Sequence, residues 1–280
     1  RINRALIAPL QVSKRNELLA VASRSQETAD AYAKEQKIPR AYGSYESLLA
    51  DPDIDVVYNP LPNHLHSEWT IKAVEAGKHV LCEKPLALGV DEVDAIKYAA
   101  NKNGRVVAEA IMYRHHPQTL KVQEIVKSGS LGALKLIRGS FSFVLSRDGD
   151  VRLNPDWGGG SIWDVGCYPI SYARMVVGEN PLEVFGWQVD GPTGIDETFV
   201  GQMRFESGVL AQFDSSFVIP FHAFMELVGS EGTLNIPRPF KPGVNEKIYL
   251  TRDEKTETIN IKGQELYLGE VEDMADAILL

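Results

Sequence analysis

Four short stretches of this 280-residue chain carry side chains that could do chemistry. The first is Cys82-Glu83-Lys84-Pro85, which ends an apolar run over residues 79–82. A lysine directly after a buried strand is costly to desolvate unless it is used. Burial beside a cationic ring would push its pKa down toward the range useful for proton transfer. Pro85 keeps a helix from starting there and so holds Lys84 in a loop. Taken alone, the tripeptide also fits an ordinary strand-end ion pair. The second stretch runs from Trp157 through Gly158, Gly159 and Gly160 to Trp163, Asp164 and Tyr168. Three glycines permit a close approach of backbone to a ligand, and the following segment reads as a helix on which Asp164 and Tyr168, four apart, share a face. A carboxylate and a phenol side by side suit binding and proton transfer at a hydroxyl. A Gly-rich capping turn with Tyr168 as a core aromatic explains this segment, by itself, better.

The remaining two stretches are binding rather than proton-transfer candidates. Ser23-Arg24-Ser25 follows the first apolar run. An acidic residue there would hold the ribose of NAD, whereas an arginine between hydroxyls suits the extra phosphate of NADP. Arg24 as a plain exposed residue stays equally open. In Asn59-Pro60-Leu61-Pro62-Asn63-His64-Leu65-His66, two prolines impose an extended backbone that can lie against a flat ring, and Asn63 can cap the helix that follows. A proline-stiffened turn with an Asn cap accounts for most of this without a ligand. No carboxylate or thiolate stands near these histidines, so no metal site is expected.

The elements that must position these residues follow from periodicity. Apolar runs at 17–22, 56–58, 79–82 and 105–108 alternate with helical stretches after residue 25, at 66–75 and at 90–101, and Gly77 and Asn103-Gly104 act as stops. Such alternation predicts an α/β, doubly wound parallel sheet, whose ligands lie outside the carboxyl ends of the strands. Beyond Pro117 the texture changes. One helix at 118–127 precedes period-two stretches at 134–144, 183–189, 198–205, 209–217, 225–228 and 233–236. Phe199, Met203 and Phe205 fall on one face, and Glu206-Ser207-Gly208 suits a hairpin turn. The expectation is a dinucleotide-binding Rossmann domain over residues 1–117 and, over 118–280, an α+β domain with a large, mostly antiparallel sheet. The chain opens in one apparent helix (2–10) and stops in another (270–280). We therefore expect both ends to lie within a longer protein, with a glycine-rich turn just upstream of Ile2 receiving the pyrophosphate.

Composition excludes several classes. At 44% hydrophobic the chain can bury a sizeable core, and a net charge of −9 without a Lys/Arg cluster argues against nucleic acid and anionic membranes as partners. Two cysteines, Cys82 and Cys167, make no disulfide framework. Neither a membrane-length apolar run nor a secretory signal is visible, so a cytoplasmic location is expected.

Together, and in this order, these pieces resemble the glucose-fructose oxidoreductase / inositol dehydrogenase (Gfo/Idh/MocA) family. The resemblance is carried by the Asn59–His66 loop, Glu83-Lys84-Pro85, Glu109-Ala110 with Arg114-His115-His116-Pro117, and Asp164-Val165-Gly166-Cys167-Tyr168. Tyr168, where many members have His, and Ser23-Arg24 are similar to the NADP-linked branch that includes dimeric dihydrodiol dehydrogenase and D-xylose 1-dehydrogenase. The resemblance implies hydride transfer between NADP (NAD being possible) and a hydroxyl or carbonyl carbon of a sugar, polyhydroxy or dihydrodiol substrate. It implies Lys84, Asp164 and Tyr168 as the catalytic group. Tyr168 would take the hydroxyl proton, Lys84 would lower the phenol pKa and relay the proton, and Asp164 would orient the hydroxyl. Ser23, Arg24, Leu61, Pro62, Asn63, His66, Glu83, Lys84 and Arg114 would contact the cofactor, and His116 and Trp163, with the catalytic group, the substrate. A tightly bound nucleotide used as an internal redox relay, or a non-catalytic nucleotide-sensing regulator, is the alternative. An open second sheet face implies a homodimer or homotetramer through the C-terminal sheet.

Overall fold

The computed structural model describes residues 2–146 and 149–280. Two compact units emerge, one built from Arg1–Met112 with Tyr267–Leu280 and the other from Tyr113–Leu266.

In the first unit a single 3-10 turn, Ile2–Leu6, runs into helix α1 (Ile7–Val12). Strand and helix then alternate: β1 (Ala20–Ala22), α2 (Gln26–Gln36), β2 (Arg40–Tyr42), α3 (Tyr45–Leu49), β3 (Val56–Asn59), α4 (His66–Glu75), β4 (His79–Glu83), α5 (Val90–Asn103) and β5 (Val107–Ala110). All pairings are parallel, β1 with β2 and β3–β4–β5 in that order. β4 reads as an unbroken apolar run because it is covered on both faces. Val80 and Cys82 pack with Ala73, Val74 and Ala99 on one side, and Leu81 packs with Leu6, Ala110 and Val271 on the other. The short pair β2 and α3 has no counterpart in the sequence reading, since three residues carry too little periodicity to register. The segment Leu268–Leu279 is a helix burying Val271, Met274 and Ala275 within this first unit. The unit boundaries therefore differ from the expected 1–117 and 118–280: the first unit ends at Met112 and regains the last fourteen residues. That return is a tertiary event, which local sequence cannot encode.

The second unit contains α6 (Pro117–Lys127), β6 (Leu134–Ser142), α7 (Cys167–Val177), β7 (Glu183–Asp190), β8 (Asp196–Arg204), β9 (Leu210–Ser216), β10 (His222–Gly229), β11 (Thr233–Ile236), β12 (Asn245–Arg252) and β13 (Lys255–Lys262). Its eight-stranded sheet has the order β13-β12-β11-β10-β6-β9-β8-β7, antiparallel throughout except for β6 beside β9. The expected β8–β9 turn forms, with Gly208 donating its N–H to the Phe205 carbonyl at 3.0 Å. The β12–β13 hairpin is an addition to the expectation. Its turn residues, Asp253 and Glu254, adopt φ of 47° and 60° without the glycine that usually advertises such a turn. Helix α7 lies against the sheet because β6 has a glycine where it crosses: a Cβ on Gly139 would come within 2.9 Å of Pro169 Cβ.

Candidate functional site

In the first unit the candidate residues sit in loops at the carboxyl ends of parallel strands, where a doubly wound sheet places its ligands. After β1, Ser23 donates its N–H to the Tyr42 carbonyl (3.0 Å), and Ser25 caps α2 by accepting the N–H of Thr28 (3.2 Å). That leaves Arg24 exposed between two residues held by the fold.

After β3, buried Asn59 donates its amide to the His66 carbonyl and to Thr70 Oγ1, both at 3.2 Å, and its Oδ1 accepts the Leu61 N–H at 3.4 Å. Asn63 does not cap α4. It opens a separate 3-10 turn, Asn63–Leu65, closed by Leu65 N–H to the Pro62 carbonyl at 2.8 Å, and α4 begins at His66. The expected cap fails because Pro62 starts a turn one step before the helix. His66, expected to touch the cofactor, is 1% exposed with both ring nitrogens on backbone carbonyls, Nδ1 2.7 Å from Pro85 O and Nε2 2.6 Å from Leu61 O. Burial, the larger influence, lowers its pKa against these two contacts. Its role is therefore corrected to that of a staple joining the Leu61–Asn63 loop to the Lys84–Pro85 step, whose peptide bond is cis.

After β4, Glu83 is buried and accepts the Tyr58 hydroxyl at 2.5 Å. Burial first, and the Glu83 carboxylate second, hold the Tyr58 hydroxyl well above the ordinary phenol range, so it stays protonated and donating. Glu83 thus faces inward as a strand-end anchor, and Glu109 accepts the Leu86 N–H at 2.9 Å just beyond the lysine. Cys82 is pushed up to about 12 by burial, an inert core thiol.

In the second unit the Gly-rich segment is a built turn. Gly160 adopts φ +123° and donates its N–H to the Arg152 carbonyl at 3.0 Å. Buried Asp196 then accepts both Ser161 Oγ (2.7 Å) and the Ile162 N–H (2.8 Å). Burial raises the pKa of Asp196, opposed by these hydrogen bonds. From this anchor a π-turn, Ile162–Gly166, leads into α7. Asp164 and Tyr168 therefore lie not on one uniform α-helix but either side of a π-to-α junction, a device that re-aims side chains and recurs at functional sites. Asp164 pairs with Arg152, Oδ2 to Nε at 2.6 Å. Tyr168, 7% exposed, has its ring fixed by Tyr113, Phe141 and Phe240, with centroids 5.9, 5.3 and 5.6 Å away. Trp163 is 37% exposed on the same turn, available to a ligand.

Two further candidates are held within the second unit. Arg114 donates from Nη2 to Ser171 Oγ at 2.8 Å, a tie within its own unit. His116 is fully buried and caps α6, Nδ1 accepting the Gln118 N–H at 3.1 Å. Pro117 at the first helical position makes the preceding residue the cap. Burial lowers its pKa, so a neutral His116 is structural and is removed from the substrate-facing set. Sequence reasoning missed Arg152, Asp150, Asp196 and Tyr58. The run Gly158-Gly159-Gly160, of the residue type that reaches positive φ cheaply, was the available signal that something must pack closely there. Among the described residues no group of three His, Cys, Asp or Glu is arranged to hold a metal, and no helix is long and apolar enough to cross a membrane.

Residues 1–111 match the model of an oxidoreductase family with an NAD-binding Rossmann fold, and residues 119–235 match the Gfo/Idh/MocA C-terminal domain. The chain belongs to the Gfo/Idh/MocA oxidoreductase family. It is similar to D-xylose 1-dehydrogenase (NADP(+)) 2 of Haloferax volcanii, 39% identical over 98% of this chain and 85% of that protein. It is also similar to trans-1,2-dihydrobenzene-1,2-diol dehydrogenase of Danio rerio, 34% identical over 80% of this chain and 67% of that protein. Among solved structures it resembles a 3-ketoreductase from Actinomadura kijaniata in complex with TDP-benzene and NADP, with a TM-score of 0.91, 27% identity, and coverage of 98% of this chain and 85% of that one. Sugar-type dehydrogenases and reductases thus surround this member of the family.

Proposed function

We propose that the protein is an NADP-dependent dehydrogenase or reductase acting at a hydroxyl or carbonyl carbon of a sugar, or of a related polyhydroxy or dihydrodiol compound. The observation that carries this is the second unit's turn: a phenol locked in an aromatic cradle, one junction away from an oriented carboxylate. Three further facts support it. The Haloferax relative's name specifies NADP, the Actinomadura structures contain it, and variants of that enzyme at one lysine and one tyrosine have been crystallised. That lysine and tyrosine have the same sequence separation as Lys84 and Tyr168 here.

Nicotinamide, when bound, supplies or accepts the hydride. The chain's own residues do the rest. Arg24, exposed at the end of β1, suits the ribose phosphate that distinguishes NADP from NAD. Ser23 and the backbone of Leu61, Pro62 and Asn63 form the adjoining loop surfaces, held in place by Asn59 and His66. Glu83 anchors the strand end from which Lys84 emerges, and Lys84 contributes a positive charge and a proton donor. Oxidation at a hydroxyl carbon releases the proton on its oxygen, which Tyr168 takes as the phenolate that the Lys84 charge favours; in reduction the Tyr168 phenol returns it. Asp164 accepts the substrate hydroxyl and sets its orientation, and Trp163 offers an apolar face to the carbon skeleton.

We also propose a homodimer or homotetramer through the large sheet, in a cytoplasmic setting, which suits two cysteines that form no disulfide. Val184, Phe185, Trp187 and Val189 of β7 are all exposed, a run of apolar surface that a lone copy would leave in water. A sedimentation profile showing only monomer refutes that part.

The test of the activity is the rate of nicotinamide reduction with NADP and NAD in parallel, across pentoses, hexoses, inositols and a trans-dihydrodiol. Turnover with NADP preferred is expected. Tyr168→Phe and Lys84→Ala should each lower turnover by about 100-fold or more, as for a positioned acid-base group. Near-normal turnover in either variant removes that residue from the chemistry.

A further inference from the structure

Arg152 lies in the 3-10 turn Val151–Leu153, in the connection between β6 and α7. Its backbone and two of its three guanidinium nitrogens are engaged. Its N–H donates to Asp150 Oδ1 at 3.1 Å, its carbonyl accepts Gly160 N–H at 3.0 Å, Nη1 pairs with Asp150 Oδ1 at 3.1 Å, and Nε pairs with Asp164 Oδ2 at 2.6 Å. Gly159 is packed onto the same backbone: a Cβ there would approach Arg152 C to 3.0 Å. The two carboxylates are largely shielded while the guanidinium is partly exposed, with side-chain exposures of 9% for Asp150, 16% for Asp164 and 39% for Arg152. Burial acts to lower the arginine pKa, but Asp164 and Asp150 together outweigh it, so the cation is firmly held. One side chain therefore ties the connecting loop to the π-turn that presents Asp164.

We propose that Arg152 is a positioning residue for Asp164 and that the Asp150–Arg152–Asp164 cluster restricts the substrate to uncharged polyhydroxy compounds, rejecting sugars that carry a phosphate or a nucleotide diphosphate. This rests on the assignment of Asp164 to the substrate hydroxyl made above. A guanidinium is the side chain best shaped to receive a phosphate, but this one is already shared by two carboxylates. A phosphate arriving here meets only the N–H donors the carboxylates leave, chiefly those of Nη2, and must sit beside both negative charges. The surrounding residues add to the bias, for over the described residues 150–164 one arginine stands against three aspartates. A neutral hydroxyl meets no such opposition. It donates to a carboxylate whose rotamer the arginine maintains, and the approach involves no like charges. The distinction matters within this family, because one relative is named for D-xylose and another was crystallised with a nucleotide-diphosphate analogue.

The experiment uses the purified full chain with NADP. Steady-state kcat and KM are measured for a neutral aldose, its phosphate ester and its dTDP-linked form, in the wild type and in Arg152→Gln, Arg152→Lys and Asp150→Asn. NADP affinity by fluorescence titration reports that each variant is folded. The wild type is expected to favour the neutral aldose by about 10-fold or more in kcat/KM. Arg152→Gln should raise the aldose KM by about 10-fold with NADP affinity unchanged, Arg152→Lys should restore part of that loss, and Asp150→Asn should narrow the bias against the phosphate ester. Equal or better use of the phosphorylated or dTDP-linked sugar overturns the proposal while leaving the oxidoreductase reading intact. An unchanged aldose KM in Arg152→Gln overturns the positioning role. Absence of turnover with every sugar, NADP still binding, overturns the inference and the reading of Asp164 together.

Discussion

Gly160→Ala strikes at the turn from which the candidate site is built. Two costs are separable in the structure. Alanine at φ +123° leaves the backbone region that glycine alone visits cheaply, about 1–3 kcal/mol. Its Cβ would also overlap Asp196 Oδ1, approaching Cγ to 3.2 Å, and so push away a carboxylate that holds Ser161 and the Ile162 N–H. Losing one such charge-assisted hydrogen bond costs about 1.5–3 kcal/mol. The sum is about 2.5–6 kcal/mol, a large part of a typical domain's stability. Urea unfolding followed by tryptophan fluorescence is suited to this region, because Trp157 and Trp163 flank the turn. A double-mutant cycle isolates the overlap. Asp196→Ala alone loses the hydrogen bonds, but it also removes the group that alanine at 160 would strike, so the double variant should be less damaging than the two single costs added. A Gly160→Ala cost below about 1 kcal/mol, or strict additivity in the cycle, would show that neither strain nor the Asp196 contact is as described.

Three other outcomes follow from the same geometry. The Tyr42 hydroxyl, the Asp53 N–H and Arg40, in that order, hold the Asp51 carboxyl at about 2, below its ordinary value of 3.8. A depressed carboxyl pKa stabilises the fold above the unfolded value and loses that contribution as pH falls toward the folded one. The stability gap between wild type and Asp51→Asn should therefore be present at neutral pH and close between 3.8 and about 2; a gap independent of pH refutes the assignment. His66→Leu strands the backbone carbonyl that the ring's single N–H now serves, at about 1–3 kcal/mol, and should weaken NADP binding while leaving the second unit's folding unchanged; calorimetry and nucleotide titration read both. Arg24→Ala should lower kcat/KM for NADP by about 10-fold or more with little change for NAD, and an equal loss with both nucleotides would remove Arg24 from phosphate recognition.

The parallel first unit was legible because its strands are buried on both faces and its helices carry ordinary stop signals. β4 shows this in the run from Val80 to Cys82, and α5 in the Gly104 stop at φ +60°. Short elements escaped for the opposite reason: β2 and α3 make their sense only by packing beside β1 and carry no period of their own. In the second unit the Glu206-Ser207-Gly208 turn announced its hairpin, whereas Asp253-Glu254 turns without glycine and hid β12 and β13. Side chains that bind the backbone misled in a consistent way. His66 and His116 look like ligand-facing imidazoles by residue type, yet in the interior His66 sets both ring nitrogens, and His116 its Nδ1, against main-chain groups.

Sequence alone determined which residues are chemically capable, Lys84 after its strand and Asp164 four before Tyr168, because residue type and local spacing are one-dimensional properties. It also determined the class of each unit, since the periods of strand and helix are local. Tertiary structure alone decided what those residues contact. Arg152 reaches Asp164 across twelve positions, Asp196 reaches Ser161 across thirty-five, and the Tyr168 ring is gripped by Phe141 and Phe240 from distant strands and loops. Such contacts are set by how the chain closes long loops upon itself, and their free energy comes from burial and pairing that no local window of sequence contains.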